Sequence, residues 1–214
     1  MIFIYLFLRS GKTEIIKQIL RNKDRLFSEP ITAVYFCYGM WQPQYEQDNA
    51  FKNVVFIEGL ITEEHLNKLT EKHENNAFLI ICDDLMLESV NSHLISQILI
   101  KYSHHKKICF IYTAQQLFPP GRYGRTIATS LTNIVLCRIN RDVSQLTHLS
   151  YQMYGKSKHK EFMEIYYDAV DGNLNISPVT YLMIHCHPLY QNRQYRLFTN
   201  CFRPLEEYPV VYKL

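Results

Sequence analysis

Two short polar stretches of the sequence carry residue types that could bind phosphate and a metal ion. The first is Ser10-Gly11-Lys12-Thr13, which lies between an apolar run that predicts a strand and a segment with helical spacing of apolar residues. Phosphate-binding loops occupy such junctions, because backbone N–H groups and the helix N-terminus hold phosphate oxygens. In such a loop Lys12 would reach the β- and γ-phosphates of ATP, and the hydroxyl of Thr13 would bind Mg²⁺. The alternative is a surface turn with a helix cap.

The second stretch is Asp83-Asp84, which follows the apolar run Phe78–Cys82. An acidic residue at the end of a buried strand can hold Mg²⁺ directly or through water, and the next one can activate an attacking water. Two adjacent carboxylates repel each other unless a cation offsets their charge. The alternative is a polar strand end or a helix N-cap, which Asp serves well. Together with Gly11-Lys12-Thr13, the pair favours a Mg²⁺–nucleotide site.

A third polar group follows the next apolar run, where Ile108–Thr113 leads into Ala114-Gln115-Gln116. An amide at this strand end would face the γ-phosphate and the attacking water, between the phosphate loop and the acidic pair. Gln115 is therefore the candidate sensor of the γ-phosphate, and a simple loop amide is the alternative.

The elements that must position these groups alternate along the chain. Continuous apolar runs predict strands at 2–8, 33–37, 54–57, 78–82, 107–113 and 133–137. Helical spacing predicts helices at 12–22, 62–72, 88–102, 142–154 and 160–169. Strands that are apolar throughout indicate a mostly parallel sheet with helices on both faces. The sequence therefore predicts a single α/β domain over 1–214, in which 171–214 adds C-terminal strands at 180–185 and 195–202.

Composition excludes several classes of protein. With 214 residues, of which 47% are hydrophobic and 20% charged, the chain can bury a core and is not a disordered protein. The formal net charge of +3 is too small to indicate a nucleic-acid binder on its own. No apolar run reaches the roughly 18 residues of a membrane span, so no membrane contact is expected. An apolar strand that begins at residue 2 is typical of a fragment or of a shortened gene model.

Six cysteines occur without a Cys-x-x-Cys pair, and Cys82, Cys109 and Cys137 lie inside apolar runs. This usage indicates small buried hydrophobic residues in a reducing, intracellular compartment.

The seven glycines are about half the usual share, so a phosphate site in this chain has few glycines to use.

Several motifs, in this order along the chain, resemble the FtsK–HerA class of DNA-translocating ATPases. They are more similar still to the packaging ATPases of poxvirus-like and Polinton/adintovirus-like double-stranded DNA elements. The matching stretches run from about residue 10 to the tail and comprise Tyr38-Gly39-Met40-Trp41-Gln42-Pro43, Phe56-Ile57-Glu58-Gly59-Leu60, Ile81-Cys82-Asp83-Asp84-Leu85-Met86, Ser103-His104-His105, Tyr112-Thr113-Ala114-Gln115-Gln116-Leu117-Phe118, Arg125-Thr126-Ile127 and Asn140-Arg141-Asp142-Val143-Ser144-Gln145.

The resemblance implies a RecA-like (ASCE) P-loop NTPase fold and a ring-shaped motor that hydrolyses ATP to drive double-stranded DNA into a viral capsid. It implies self-association, contact with capsid proteins, and a location in the host nucleus or cytoplasm or with the virion. Carried over by position, Lys12 and Thr13 bind phosphate and Mg²⁺, and Asp83 holds Mg²⁺. Asp84 and Gln115 then stand where the catalytic acid and the sensor belong.

A motor ring also needs an arginine that one subunit donates to the next, to neutralise charge in the transition state. Arg125 and Arg141 are the candidates, and Arg125 is favoured because it follows the sensor strand in a glycine-containing loop. Contact with DNA phosphates would draw on local positive or titratable side chains, the candidates being His104, His105, Lys106, Lys107, Arg122 and Arg125. For the first four, a solvated helix end is an equally good interpretation.

The chain departs from the family at the phosphate loop. Leu6 stands where the pattern G-x-x-x-x-G-K-[ST] has its first glycine, and Phe7, Leu8 and Arg9 follow it. Bulky residues restrict the backbone conformations that let N–H groups converge on phosphate, so we expect weaker ATP binding than in an intact relative.

Two other functions follow from this departure and from the motif itself. One is a catalytically impaired relative that persists as a binding or structural module. The other is a small-molecule P-loop kinase, which would need an arginine-bearing lid that the sequence does not clearly contain.

Overall fold

A nine-stranded sheet forms the centre of the computed structural model, which describes residues 3–7, 11–102, 107–139, 142–171, 179–203 and 208–214. The strands are β1 (Phe3–Phe7), β2 (Ile31–Tyr38), β3 (Val54–Glu58), β4 (Ala77–Asp83), β5 (Ile108–Ala114), β6 (Asn133–Cys137), β7 (Tyr181–His185), β8 (Leu197–Thr199) and β9 (Val210–Tyr212). Their spatial order is β3-β2-β4-β5-β1-β6-β7-β8-β9. Neighbours from β3 to β6 pair in parallel, and β7, β8 and β9 extend the sheet in antiparallel pairings.

Helices connect the parallel strands and cover the sheet. They are α1 (Lys12–Arg21), α2 (Lys23–Leu26), α3 (Gln44–Gln47), α4 (Glu63–Lys72), α5 (Met86–Asn91), α6 (His93–Gln97), α7 (Gly124–Ser130), α8 (Ser144–Tyr154) and α9 (His159–Asp171). The buried side chains of α1 and α3 belong to one hydrophobic cluster, and those of α4 to α9 belong to another.

Alternation along the strands separates these two clusters. In β4, Phe78 and Ile80 face the α4–α9 cluster, whereas Leu79 and Ile81 face the α1 cluster. All seven residues of β4 are buried, as expected for a strand covered on both sides. The predicted α/β class, with a mostly parallel sheet between helices, is therefore confirmed, and the strand order is compatible with a RecA-like fold.

The helix predicted over 88–102 is not continuous. Ser92 has extended backbone angles (φ −86°, ψ 118°), and its hydroxyl accepts a hydrogen bond from the Ile95 N–H at 3.3 Å. A serine that caps a helix N-terminus favours a new helix over the continuation of the old one. The segment is consequently divided into α5, α6 and a π-helical turn, Ile98–Tyr102.

Three short helices and one strand of the structure were not predicted from the sequence. Helix α7 occupies part of the segment that was expected to be a glycine-containing loop, so Arg125 lies in the first turn of a helix. The others are α2, α3 and β9. The predicted strand at 195–202 contains only the three residues of β8. These elements are too short to show a clear hydrophobic period.

Asp48, in the connection between β2 and β3, forms ion pairs with side chains of α1. Its carboxylate accepts hydrogen bonds from the Ala50 N–H (2.9 Å) and from Arg21 (2.8 Å), and Lys17 lies 3.2 Å away. The backbone N–H of Ala50 and the two cations lower the pKa of Asp48 to about 2. Because Lys17 and Arg21 are four residues apart, they share one side of α1, and the helix is held in a fixed orientation under the sheet.

The expected burial of Cys82, Cys109 and Cys137 is confirmed, and none of the six cysteines forms a disulfide. None of the helices in the part of the chain that the structure describes is both long enough and apolar enough to cross a membrane.

Candidate functional site

The three predicted polar groups meet at the carboxyl edge of the parallel sheet. Strand β5 lies between β1 and β4, with Phe7 of β1 opposite Ala114 and Cys82 of β4 opposite Tyr112. The chain therefore leaves β1, β4 and β5 at neighbouring positions of one edge, where ligands of parallel α/β sheets bind. This order places the end of β5, which leads into Gln115, between the β1–α1 junction and the acidic pair.

Helix α1 begins directly after Gly11, which has left-handed backbone angles (φ 97°, ψ −7°). A Cβ atom at this position would lie 2.8 Å from Cγ1 of Val179, so both the backbone and the packing require glycine. The Gly11 carbonyl accepts the first helical hydrogen bond, from the Ile15 N–H at 2.9 Å. The N–H groups of the first turn, which include those of Lys12 and Thr13, have no acceptor within the helix, and Ser10 lies outside the described residues.

The ammonium group of Lys12 lies within electrostatic reach of the last residue of β6. Burial raises the pKa of the Cys137 thiol to about 12, and the positive charge of Lys12 opposes that rise. Strand β6 is the neighbour of β1 on the side away from β5. Lys12 is therefore placed at the carboxyl edge of the sheet, beside the junction where a phosphate would bind.

Asp83 is a buried carboxylate, with 3% of its surface exposed, at the end of β4. The hydroxyl of Thr113 donates to Oδ1 at 2.6 Å, and the hydroxyl of Tyr45 donates to Oδ2 at 3.1 Å. Burial and the charge of Asp83 raise the pKa of Tyr45 well above its usual value, so the phenol stays protonated and remains a donor. Two hydroxyl donors thus fix the orientation of this carboxylate.

Asp84 is exposed and has a positive φ of 57°, a conformation that Asp tolerates better than most residues. Its N–H donates to the hydroxyl of Thr113 at 3.1 Å, so one threonine positions both acidic residues. The side-chain amide of Gln115 lies 3.5 Å from Oδ1 of Asp84. The structure therefore brings Asp83, Asp84 and Gln115 together around Thr113.

Gly39 allows the loop after β2 to pass against the acidic pair. Its N–H donates to the carbonyl of Asp83 at 3.2 Å, and a Cβ atom on it would lie 2.6 Å from the carbonyl oxygen of Asp84. That contact is with backbone, which cannot rotate away. The loop and the acidic pair are therefore in close contact only because residue 39 has no side chain.

We expect Gly39→Ala to lower the free energy of unfolding by about 1–3 kcal/mol, since the added methyl group overpacks the site, and to reduce any nucleotide hydrolysis by displacing Asp84. Urea denaturation and an ATPase assay measure the two effects. Gly59→Ala is the control: Gly59 has a positive φ (75°), so alanine strains the backbone there, but no atom lies within 4 Å of the position that an added methyl group would take. Its activity should therefore be retained even if its stability falls. Equal loss of activity in both variants would contradict the role of Gly39.

Arg125 makes no hydrogen bond or ion pair with Asp83 or Asp84 among the described residues. It lines a cavity of about 520 Å³ between α7 and α8, together with Phe118 and His148, whose rings are 5.1 Å apart. This surface does not join the groups around Thr113 within one chain. The other candidate for the donated arginine, Arg141, lies outside the described residues.

Three of the six candidate DNA-binding side chains, Lys107, Arg122 and Arg125, lie in the described part of the chain. Lys107 precedes β5 at the amino edge of the sheet, opposite the acidic pair, and its ammonium group lies 2.7 Å from the carboxylate of Glu29. The guanidinium of Arg122 lies 5.3 Å from the ring centre of Tyr123. His104, His105 and Lys106 lie outside the described residues.

Three positioning residues of the site were not assigned a role from the sequence. Thr113 could have been found as a polar residue ending a buried strand, whereas nothing in the sequence joins Tyr45 to Asp83. Gln145 accepts a hydrogen bond from the Leu117 N–H at 2.8 Å and so holds the loop that follows Gln115. Gln145 belongs to the stretch from Asn140 to Gln145 that resembles the family, but this contact was not predicted from the sequence.

Within the described ranges, no group of three or more His, Cys, Asp or Glu side chains is arranged to hold a metal ion. The hydroxyl of Thr13 and the carboxylate of Asp83 are oxygen ligands of the kind that Mg²⁺ prefers; this ion usually takes one or two carboxylates with phosphate and water. These two residues therefore fit a nucleotide-bound Mg²⁺ in chemical type.

No protein-family model matches the chain, and no curated protein matches it either.

Proposed function

We propose that this chain is a P-loop ATPase whose site lies at the carboxyl edge of the sheet. The observation that carries the proposal is the network around Thr113, which holds Asp83 and Asp84 one strand away from the β1–α1 junction. A buried, oriented carboxylate with a second acidic residue directly after it, one strand away from a helix that begins with Lys12-Thr13 after Gly11, supports Mg²⁺-dependent phosphoryl transfer.

Each residue then has a separate task. The first-turn N–H groups of α1 and the ammonium of Lys12 bind the phosphates, while Thr13 and Asp83 hold Mg²⁺ directly or through water. The bound ion would neutralise charge that develops on the phosphate oxygens. Asp84 accepts a proton from the attacking water, and Gln115, whose amide is beside it, orients that water.

We further propose that hydrolysis drives double-stranded DNA into a capsid, with several copies of the chain forming a ring in an intracellular, reducing compartment. The support for this step is the resemblance of the motifs, above all the Asp-Asp-Leu-Met stretch at residues 83–86. Arg125 would act on the site of the neighbouring subunit, since it makes no hydrogen bond or ion pair with the acidic pair of its own chain among the described residues.

Double-stranded DNA is expected to stimulate ATP hydrolysis by this protein, since a motor couples the two. A motor that tracks phosphates without reading bases should respond alike to unrelated sequences. DNA binding should weaken by an order of magnitude or more between about 50 and 200 mM salt, because counterions are released on binding. The measurement is ATPase activity with and without DNA, at several salt concentrations. ATP hydrolysis that DNA does not change would contradict the motor function but not the ATPase.

One observation favours a second function, that of a nucleotide-binding or structural module without hydrolysis. Leu6 and Phe7, which occupy the first two positions of the glycine-rich loop pattern, belong to strand β1 and pair with β5 and β6. Leu8 and Arg9 follow them in the sequence, and bulky residues limit the convergence of N–H groups on phosphate. ATP binding without turnover, under conditions where Mg²⁺ and DNA are both present, would establish this alternative.

A further inference from the structure

An aromatic cluster joins the carboxylate of Asp83 to the protein surface. Tyr45 lies in α3, is 3% exposed, and packs with its ring centre 5.0 Å from that of Phe36 and 5.4 Å from that of Phe51. Its hydroxyl is the group that donates to Oδ2 of Asp83. The ring is thus held by core packing, while its polar end reaches the acidic pair.

The outer end of this cluster is Trp41, the single tryptophan of the chain. Its ring is 40% exposed and lies edge-on to Tyr45, with centres 5.4 Å apart and planes at 81°. The rings of Tyr38 and Phe56 contact Trp41 at 5.2 and 5.0 Å. The rings of Trp41 and Tyr45 are therefore in direct contact. A movement of the Tyr45 ring can reach the exposed Trp41 through this single contact.

We propose that Tyr45 is a positioning residue for the carboxylate of Asp83 and that it couples this carboxylate to the exposed Trp41. The proposal rests on the proposed function, in which Asp83 serves Mg²⁺. An ionised carboxylate offers about four acceptor sites. Tyr45 and Thr113 each take one, which leaves acceptor sites on the carboxylate for a metal or for its water. Groups that orient a metal-binding carboxylate in this way control metal affinity.

The coupling has a thermodynamic consequence. If filling the metal site changes how Tyr45 bonds to Asp83, the environment of Trp41 changes with it. The effect must be reciprocal for binding free energies, so contact made on Trp41 changes the affinity of the site for Mg²⁺. The surface concerned is the one around Trp41, which includes the neighbouring Met40 with 72% of its surface exposed.

The test uses the fluorescence of Trp41 in the full chain, titrated with Mg²⁺ and a non-hydrolysable ATP analogue, with binding followed separately by calorimetry. We expect binding to change the emission of Trp41 and its quenching by acrylamide. In Tyr45→Phe, we expect nucleotide binding to persist, the Mg²⁺ concentration for half-saturation to rise roughly tenfold, and the fluorescence change to be largely lost. Tyr38→Phe removes a hydroxyl from another ring that touches Trp41, and it should behave as the wild-type chain.

The outcomes separate this inference from the proposed function. Binding by calorimetry without any response of Trp41, or a Tyr45→Phe variant with wild-type Mg²⁺ dependence and response, would overturn the inference and leave the ATPase proposal standing. No binding by calorimetry would overturn both. The wild-type response is informative even if Tyr45→Phe folds poorly, because it requires no substitution.

Discussion

Replacement of Asp84 by asparagine is expected to lower the rate of ATP hydrolysis by at least about a hundredfold while ATP binding is retained. Asparagine keeps the size of the side chain, tolerates the positive φ at this position (57°), and can still accept from Gln115. It cannot accept a proton from water at neutral pH. A positioned general base contributes roughly 10²- to 10⁴-fold to a rate, so the loss appears in kcat and not in the affinity for ATP.

A steady-state ATPase assay and a separate binding measurement test this expectation. Asp24→Asn is the matched control, because Asp24 lies on α2 with its side chain 82% exposed and pairs only with the neighbouring Lys23 among the described residues. Its activity should equal that of the wild-type chain. An Asp84→Asn variant that retained full activity would remove Asp84 from the mechanism.

The Lys12→Ala variant is expected to bind ATP roughly ten- to a hundredfold more weakly than the wild-type chain. Lys12 carries the positive charge at the start of α1, and hydrogen bonds to charged groups are worth about 1.5–3 kcal/mol. The effect is expected on binding because, in the proposed site, Lys12 would contact phosphate in the ground state as well as in the transition state. Since residues 1–10 contain no glycine, other backbone contacts cannot easily replace the lost one.

Calorimetric titration with ATP and Mg²⁺ measures this loss. Lys68→Ala provides the control, because Lys68 is an exposed lysine on α4 that pairs with Glu64 four residues earlier. Both variants replace a helical lysine by alanine. A difference in their ATP affinity therefore reflects where each lysine lies in the structure. Unchanged affinity in Lys12→Ala would mean that the β1–α1 junction is not the nucleotide site.

Much of the fold could be predicted because the strands are apolar on both faces. Strand β4 shows this most clearly: every residue from Ala77 to Asp83 is buried, and no other environment suits such a run. The pattern does not reveal the break at Ser92, since the apolar spacing continues through it. Helix α7 and strand β9 were missed because seven and three residues give no reliable period.

The site was predictable to the extent that strand ends share one edge. Asp83, Asp84 and Gln115 were expected together from their positions after buried strands, and the structure brings them together around Thr113. The hydroxyl of Tyr45 could not have been placed there, because 38 residues separate it from Asp83 and only the packing of α3 joins them. The position of Arg125 likewise depends on how α7 packs against α5 and the π-helical turn.

The most direct test of the central claim is a crystal structure of the chain grown with Mg²⁺ and a non-hydrolysable ATP analogue. We expect phosphates at the first-turn N–H groups of α1 and at Lys12, and a metal ion between Thr13 and Asp83, with Asp84 facing the γ-phosphate. A nucleotide bound elsewhere on the molecule, or metal-bound phosphates that leave Lys12 and Asp83 without contact, would contradict the claim.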